Sequence, residues 1–345
     1  MNIRKLIASI LFIAVLLTAT SAIADTVHID KTLESMFLTL HLDADVENLP
    51  EGTQLTIYET DYPPFDTQSL TDMFLNDQTD AQAEVSIDEK NFTIECDEWS
   101  TSFFAEDARF VIGYYKKYSL FWGCETVNQQ ATGLKTTPEE AINTAQELVD
   151  RLKSTLNWDG YTLNACYAMP SEKDWLSNVA TPKQQESRKG DPIETTGYYI
   201  VEYVKDIDGY TVAYDHSPYY MDRYVDTQGD HLQIYIDDNG IGYVTGYVRS
   251  YNAEKQESLQ ITLDDAIGIL QENMDYVECY PNEMPCEITE IGLCYRLVQS
   301  LPASNEDAAV KMEARPVWRF AAGINRNSQA TFYIFIDAVT GEVLS

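Results

Sequence analysis

Two segments of the chain place hydrophobic residues at the 3.6-residue spacing of an amphipathic helix. One begins at Thr137 and the other at Thr262, and acidic residues follow each threonine, as suits the first turn of a helix. The apolar positions of the two segments coincide at an offset of 125 residues. This pattern predicts two equivalent helices, each with one face packed against another layer.

Each predicted helix is followed by alternating apolar and polar residues that predict strands and a closing hairpin. A Cys-Tyr pair lies in the first strand of each set, at Cys166 and Cys294. The hairpins turn at Asp237 and Asp337, and a glycine follows each turn. We therefore predict an internal repeat in which Cys166 lies over Cys294 and Asp237 over Asp337. The first copy is predicted to span 133–251 and the second 259–345. The first copy is expected to carry a polar insertion at 177–197.

The N-terminal region, 25–132, lacks this repeat but contains several short alternating runs. Val85 to Asp88 and Phe92 to Cys96, for example, predict two strands joined by a tight hairpin. We expect this region to form a separate β-rich domain, and residues 252–258 to link the two copies. The predicted fold class is α+β: an N-terminal domain followed by two units that each pack a helix on an antiparallel sheet.

The strand before the second closing turn, 332–336, is apolar on both of its faces. Such a strand is either covered on both faces or presents its outer face to a partner. A second candidate surface is a tyrosine-rich segment, 214–224, for which core packing and stacking on sugar rings are the alternatives. The candidate partner-binding residues from these two segments are Tyr333, Phe335, Tyr219 and Tyr220.

The order of helix, strands and closing hairpin resembles that of PepSY domains. The runs Ile288–Tyr295, Arg315–Phe320 and Tyr333–Val343 also resemble the C-terminal part of the YycH/YycI regulators. Those are extracytoplasmic proteins that restrain a membrane sensor kinase in Gram-positive bacteria. The resemblance covers about residues 135 to 345. It implies a non-catalytic module that binds or regulates a protein or peptide at the bacterial cell surface, and it supplies no catalytic residues.

The first 24 residues have the organisation of a secretory signal peptide. Arg4 and Lys5 precede an apolar stretch, and Ala22-Ile23-Ala24 is a small-residue cleavage site. We expect cleavage before Asp25 and a secreted protein; an uncleaved helix that anchors the chain is the alternative. No later segment is apolar and long enough to predict a membrane span, so no membrane insertion is expected after signal removal.

The chain has 345 residues, with 56 acidic and 23 basic side chains and a formal net charge of −33. Proteins that track nucleic acid or adsorb to anionic lipid need a cationic surface, so both classes are excluded. A strongly negative protein instead favours cationic partners, because complementary charge speeds encounter. We expect a protein or peptide partner that carries positive charge.

Six cysteines in an exported protein suggest disulfides. Cys279 and Cys286 bracket a proline-containing hexapeptide, and this pair is the candidate disulfide. The remaining cysteines are expected to be small buried hydrophobic residues. No CxxC motif occurs and no histidine lies at ligand spacing from a cysteine, so a zinc site is not expected.

The sequence contains no motif for a nucleophile, a phosphate loop or a zinc protease, so no enzymatic activity and no cofactor are expected. A carboxylate-dependent hydrolase of glycans or peptides is the alternative, because carboxylate pairs leave no local motif. A carbohydrate-binding module is another alternative.

Calcium is the one candidate ion, since acidic residues surround two turns. The alternative is that these acids bond to the backbone of their own turns. These acids are Asp206, Asp208, Asp237 and Asp238.

Overall fold

Two large β-sheets, each with an amphipathic helix packed on one face, make up the described part of the chain. Among the described strands, pairing is antiparallel except where β2 meets β15 and at one isolated bridge. The protein is therefore a mixed, sheet-rich α and β structure. This computed structural model describes residues 25–35, 38–61, 84–87, 91–95, 99–104, 109–114, 126–178, 180–190, 193–213, 229–274, 286–300, 311–323 and 331–344.

The elements are numbered in chain order. The helices are α1 (Pro138–Leu156), α2 (Glu172–Asn178), α3 (Pro182–Ser187) and α4 (Leu263–Asn273). The strands of the first half are β1 (Asp25–Glu34), β2 (Thr39–Asn48), β3 (Gln54–Asp61), β4 (Glu84–Ile87), β5 (Asn91–Glu95), β6 (Trp99–Phe104), β7 (Arg109–Tyr114), β8 (Thr126–Val127) and β9 (Tyr161–Met169). The others are β10 (Tyr198–Ile207), β11 (Tyr210–Thr211), β12 (His231–Asp237), β13 (Gly240–Tyr247), β14 (Ser250–Ser258), β15 (Cys286–Ser300), β16 (Lys311–Gly323), β17 (Thr331–Asp337) and β18 (Val343–Leu344).

The first sheet has the strand order β4-β5-β6-β7-β13-β12-β10-β9-β8, with β11 paired to β10. Helix α1 packs its apolar face on β9, β10 and β12, where Ala145, Leu148 and Leu152 contact a core that includes Tyr199 and Ile234. The second sheet has the order β1-β2-β15-β16-β17-β18, and β3 joins it between β14 and β16. Helix α4 covers this sheet in the same way.

Both predicted helices are confirmed, with their predicted N-caps. The Thr137 side chain accepts a bond from the backbone N–H of Glu140, and the Glu140 carboxylate accepts one from the backbone of Thr137. Thr262 and Asp265 form the same reciprocal capping box at the start of α4. Both predicted closing hairpins are also present, as β12–β13 and β17–β18.

The segment that precedes each helix is tied to the turn of its closing hairpin. In the first unit the Asp238 carboxylate accepts bonds from the backbone N–H groups of Lys135 and Thr136, each at 2.9 Å. In the second unit the Ala338 carbonyl accepts bonds from Gln260 and Ile261, at 3.2 and 3.1 Å. A side-chain carboxylate in the first unit and a backbone carbonyl in the second thus make equivalent bonds. Both join the start of the helix to the turn of the closing hairpin.

The expectation that Cys166 lies over Cys294 is wrong. Cys166 belongs to the core beneath α1, whereas Cys294 lies on the opposite face of its sheet, beside Val317 and Phe335. Cys166 therefore faces the helix of its unit, whereas Cys294 faces away from the helix of its unit. The physical reason is strand periodicity: a register offset by an odd number of residues moves a side chain to the other face.

The described strands of the N-terminal region are divided between the two sheets. β1, β2 and β3 belong to the second sheet, while β4 to β8 belong to the first. This corrects the expectation of a separate N-terminal domain, and its cause is that both sheets offer strand edges that the region pairs with. The segment expected to be a linker, 252–258, is part of β14 and pairs with β3. The polar insertion contains α3, whose neighbour Arg188 pairs with the buried Glu172 at 2.6 Å.

The predicted signal peptide, residues 1–24, lies outside the described residues. Among the residues that the structure does describe, no helix has the length and apolar character needed to cross a membrane.

Candidate functional site

A cleft of about 760 Å³ opens where the two sheets meet. The end of α1 and the loop to β9 form one wall, the β10–β11 turn forms another, and the start of β14 with β3 completes it. We call it the tyrosine cleft, and its aromatic and charged lining residues include Tyr58, Asp159, Tyr161, Lys205, Asp206, Asp208, Arg249 and Tyr251.

In the described part of the chain, one chain crossing and one β-bridge link the two sheets near the cleft. Val248 and Arg249 join β13 of the first sheet to β14 of the second. Val212, which follows β11, forms a parallel bridge with Tyr295 on β15. Because both sheets contribute side chains, the shape of the cleft depends on the relative position of the sheets and on the residues at these two links.

A buried ion pair lies behind the cleft. The Asp230 carboxylate is within 2.5 Å of both the Nη1 atom and the backbone nitrogen of Arg249. Burial raises the pKa of Asp230, and the adjacent Arg249 cation and its backbone N–H oppose that rise. Both groups are buried, so the pair fixes the chain crossing in place.

Tyr161 and Tyr251 flank this ion pair. Burial raises the pKa of both phenols well above the ordinary value, and the nearby Asp230 charge adds to the rise. The Tyr161 hydroxyl donates to the Tyr247 carbonyl at 3.2 Å, and the buried Tyr251 hydroxyl faces Asp230. Both rings therefore stay neutral at physiological pH.

The Lys205 ammonium lies over both of these rings. Its Nζ atom is 5.5 Å from the centroid of the Tyr161 ring and 5.7 Å from that of Tyr251. It also donates to the Asp159 carbonyl at 2.5 Å and is 3.5 Å from the Asp159 carboxylate. Two aromatic rings and two oxygens thus surround one cation.

Tyr58 forms the wall contributed by the second sheet. Its hydroxyl donates a short hydrogen bond to Asp208 in the β10–β11 turn. Burial and this bond raise the pKa of Tyr58 to about 12. The ring packs edge-on against Tyr251 and Tyr295, at centroid distances of 6.5 and 5.5 Å. The turn of one sheet is thereby attached to a strand of the other.

The predicted partner-binding residues do not line this cleft. Phe335 is only 2% exposed and packs with Cys294 and Val317, while the Arg296 guanidinium stacks on its ring at 4.0 Å. This corrects the expectation of an exposed anchor, because the strand is covered on both faces. Tyr333 is half-buried beside it. Tyr219 and Tyr220 lie outside the described residues.

The carboxylates proposed for calcium accept hydrogen bonds from nearby backbone or side-chain groups. Asp206 accepts from the Gly209 N–H at 3.0 Å, and Asp237 accepts from the Asn239 N–H at 2.7 Å. Asp208 and Asp238 are bonded as described above. Within the described ranges, no three His, Cys, Asp or Glu side chains form a group that could hold a metal ion. A calcium site stays a prediction.

The candidate disulfide also stays a prediction, because Cys279 lies outside the described residues. Cys286 is buried at the start of β15.

Sequence reasoning missed the cleft because its residues are scattered along the chain. Lys205, Asp230 and Tyr251 lie on or beside three different strands and share no local motif. One signal was present. Tyr198–Ile207 is apolar over most of its length, so a lysine near its end needs a specific environment.

The family model "PepSY: Peptidase propeptide and YPEB domain" matches residues 297–345, which cover the end of β15 and the strands β16 to β18. The fold is similar to the crystal structure of an uncharacterized protein from Eubacterium rectale ATCC 33656. That similarity has a TM-score of 0.56 and 16% identity, and covers 92% of this chain and 93% of the other. No curated protein matches the chain.

These findings establish two points. The chain contains a PepSY match at its C-terminal end. The fold similarity extends over nearly the whole length, so it includes the N-terminal strands that join the two sheets. At this identity the structural comparison shows the fold alone.

Proposed function

We propose that the protein is an extracytoplasmic, non-catalytic binding or regulatory protein whose partner is a protein or peptide with positive charge. The observation that carries this proposal is the tyrosine cleft. Both sheets build it, its phenols are neutral, and the buried carboxylate behind it is held by Arg249. A cleft of this size suits a ligand.

The proposal includes two PepSY-like units, 133–251 and 259–345. The family match covers part of the second unit. Its order of helix and four antiparallel strands recurs in the first unit as α1, β9, β10, β12 and β13. The same capping box and the same tie between helix start and hairpin turn support a common origin of the two units.

The hydrolase alternative needs a carboxyl group that is free to exchange a proton in a cleft. The buried carboxylates of the described residues are each held by a nearby donor. Glu172 pairs with Arg188, and Asp337 pairs with Arg315 at 2.9 Å. Glu202 accepts from Asn164 and Gln233, at 2.7 and 3.0 Å. In the cleft itself, Asp159 pairs with Lys205, Asp206 accepts from the Gly209 N–H and Asp208 accepts from Tyr58. These partners favour structural roles for the carboxylates and support the binding proposal.

The location outside the cytoplasm and the comparison with the YycH/YycI regulators are part of the same proposal. A cleaved signal would give a mature protein that starts at Asp25, whereas an uncleaved helix would give an anchored regulator. N-terminal sequencing of protein recovered from the culture medium and from the membrane fraction distinguishes them. A start at Asp25 in the medium supports secretion; a start at Met1 in the membrane supports the anchored form.

Selection from a random peptide library, followed by affinity measurement on the enriched peptides, tests the binding function. Folded protein should enrich a recurring sequence motif and bind it, while heat-unfolded protein should not. The protein should not hydrolyse any member of a panel of glycans and peptides. Turnover that disappears when one carboxylate is replaced would overturn the proposal, and selective retention of a glycan would support a carbohydrate-binding module instead.

A further inference from the structure

The Lys205 side chain occupies a position that is built for a cation. Its ammonium contacts two aromatic rings, a carbonyl at 2.5 Å and a carboxylate at 3.5 Å. Cation–π contacts of this kind recognise ammonium and guanidinium groups in general, and they do not select a particular chain. The surroundings would therefore suit a lysine or arginine of a partner equally well.

The charges around this position favour a cation. Asp159, Asp206 and Asp208 line the cleft, and Asp230 lies behind it. Lys205 and Arg249 are the cations of the lining, so the lining carboxylates outnumber the lining cations by three to two. The net charge of −33 adds an attraction toward basic ligands that is screened by salt.

The position can also be reached from solvent. The Lys205 side chain is 12% exposed, while its partner Asp159 is 69% exposed at the mouth of the cleft. The volume of about 760 Å³ exceeds what one lysine side chain fills. An incoming side chain can thus approach Asp159 and the rim of the two rings before Lys205 leaves them.

We infer that a lysine or arginine side chain of a peptide partner enters the tyrosine cleft and competes with Lys205 for its position over the Tyr161 and Tyr251 rings. This inference rests on the proposed peptide-binding function and names the chemistry of the ligand. Lys205 then acts as an internal competitor that sets the affinity. Its removal would leave the rings and Asp159 available to the partner.

The test uses three fluorescent nonapeptides in which glycine alternates with lysine, glutamate or norleucine. Binding is measured by anisotropy with the full chain. We expect the lysine peptide to bind best. Lys205→Met should tighten its binding by about 3- to 30-fold, because one cation–π competitor and one like charge are removed. Lys189→Met is the matched control, because Lys189 lies in an exposed ion pair with Glu186, and it should leave the affinity unchanged.

Ring variants separate the cleft from general attraction to an acidic surface. In the Lys205→Met background, Tyr251→Leu should reverse the gain while Tyr251→Phe should retain it, because only the latter keeps an aromatic face. Circular dichroism melts show that each variant is folded. If Tyr251→Leu does not fold, Tyr161→Leu and Tyr161→Phe provide the same comparison on the other ring.

The outcomes are distinct for the two proposals. Equal affinity of Lys205→Met and wild type for the lysine peptide, or an equal gain in Lys189→Met, overturns the inference about the cleft. Peptides selected from the library would still bind in that case, and the proposed function would stand. Failure of the folded protein to bind the library-selected peptides and all three probes would overturn both.

Discussion

Tyr199 and Trp318 hold the starts of the two long helices in the same way. Each donates a side-chain hydrogen bond to the carbonyl of the residue before the N-cap threonine, at 3.0 Å for Tyr199 and 2.7 Å for Trp318. Each also lies opposite an isoleucine of the closing hairpin, Ile236 or Ile336. A phenol in one unit and an indole in the other thus fix the helix to the sheet at equivalent places.

We predict that Tyr199→Phe destabilises the protein by about 1–3 kcal/mol, because one buried and one half-buried backbone group lose a partner. The Tyr199 hydroxyl also accepts a bond from the Ala131 N–H at 3.0 Å, and Ala131 is buried. Urea unfolding measures the change. Tyr243→Phe removes a hydroxyl from a half-buried ring on β13 and should cost less than about 0.5 kcal/mol. Equal losses in the two variants would contradict the prediction.

The helices and closing hairpins were predictable because their signals are local. Thr137 and Thr262 cap helices through residues three positions away, and the turns at Asp237 and Asp337 are stabilised by bonds to residues within the turn. These interactions depend on nearest neighbours along the chain, so a periodic pattern with the right cap residue is enough to locate them.

The strand register was not predictable, because pairing across the sheet sets it. Tyr199 lies opposite Ala168, and Trp318 lies opposite Leu293. Those partners are 125 residues apart, as the N-cap threonines are, whereas the Cys-Tyr pairs are 128 apart. The shared Cys-Tyr motif is therefore three positions out of register. Such a coincidence looks like a repeat in the sequence and is resolved only by the partner strands.

Replacing Arg249 should be far more costly than replacing an exposed cation. Arg249→Met leaves the fully buried Asp230 carboxylate without its cation, and we expect a loss of about 3–5 kcal/mol. The double variant Asp230→Asn/Arg249→Met should recover part of that loss because no buried charge remains. Lys189→Met breaks the exposed pair with Glu186 and should change stability by less than about 0.5 kcal/mol.

Denaturant midpoints of these variants and of Asp230→Asn complete a double-mutant cycle. A double variant that is as unstable as the sum of both single variants would show that the two side chains are not coupled. The crossing between the sheets would then depend on packing alone.

Acid should weaken the two helix starts. Hydrogen bonds from Thr137 and Thr262 lower the pKa of Glu140 and Asp265 below their ordinary values. A lowered pKa means that the folded state binds the proton less well, so this stabilisation is present above the ordinary pKa values and is lost as pH falls through the lowered ones. We predict that Glu140→Gln/Asp265→Asn flattens this part of the pH dependence.

The measurement is the free energy of unfolding between pH 6 and pH 3, compared for wild type and the double variant. The comparison matters because many other carboxylates are protonated in the same range. The difference in free energy of unfolding between wild type and the double variant should shrink as the pH falls. A difference that stays constant with pH would mean that the capping carboxylates contribute no titratable stabilisation.

Cys166 and Cys294 should resist alkylation in the folded protein. Burial raises the pKa of each thiol to about 11, compared with an ordinary value of 9. The thiolate is the reactive form, so its population at pH 8 falls by about a hundredfold, and burial further restricts access of the reagent. Iodoacetamide treatment with and without urea, followed by peptide mapping, should label both residues only after unfolding.

The same peptide maps test the predicted disulfide between Cys279 and Cys286. Both residues should be labelled only after reduction, and labelling of both in urea without a reductant would show that they are free thiols.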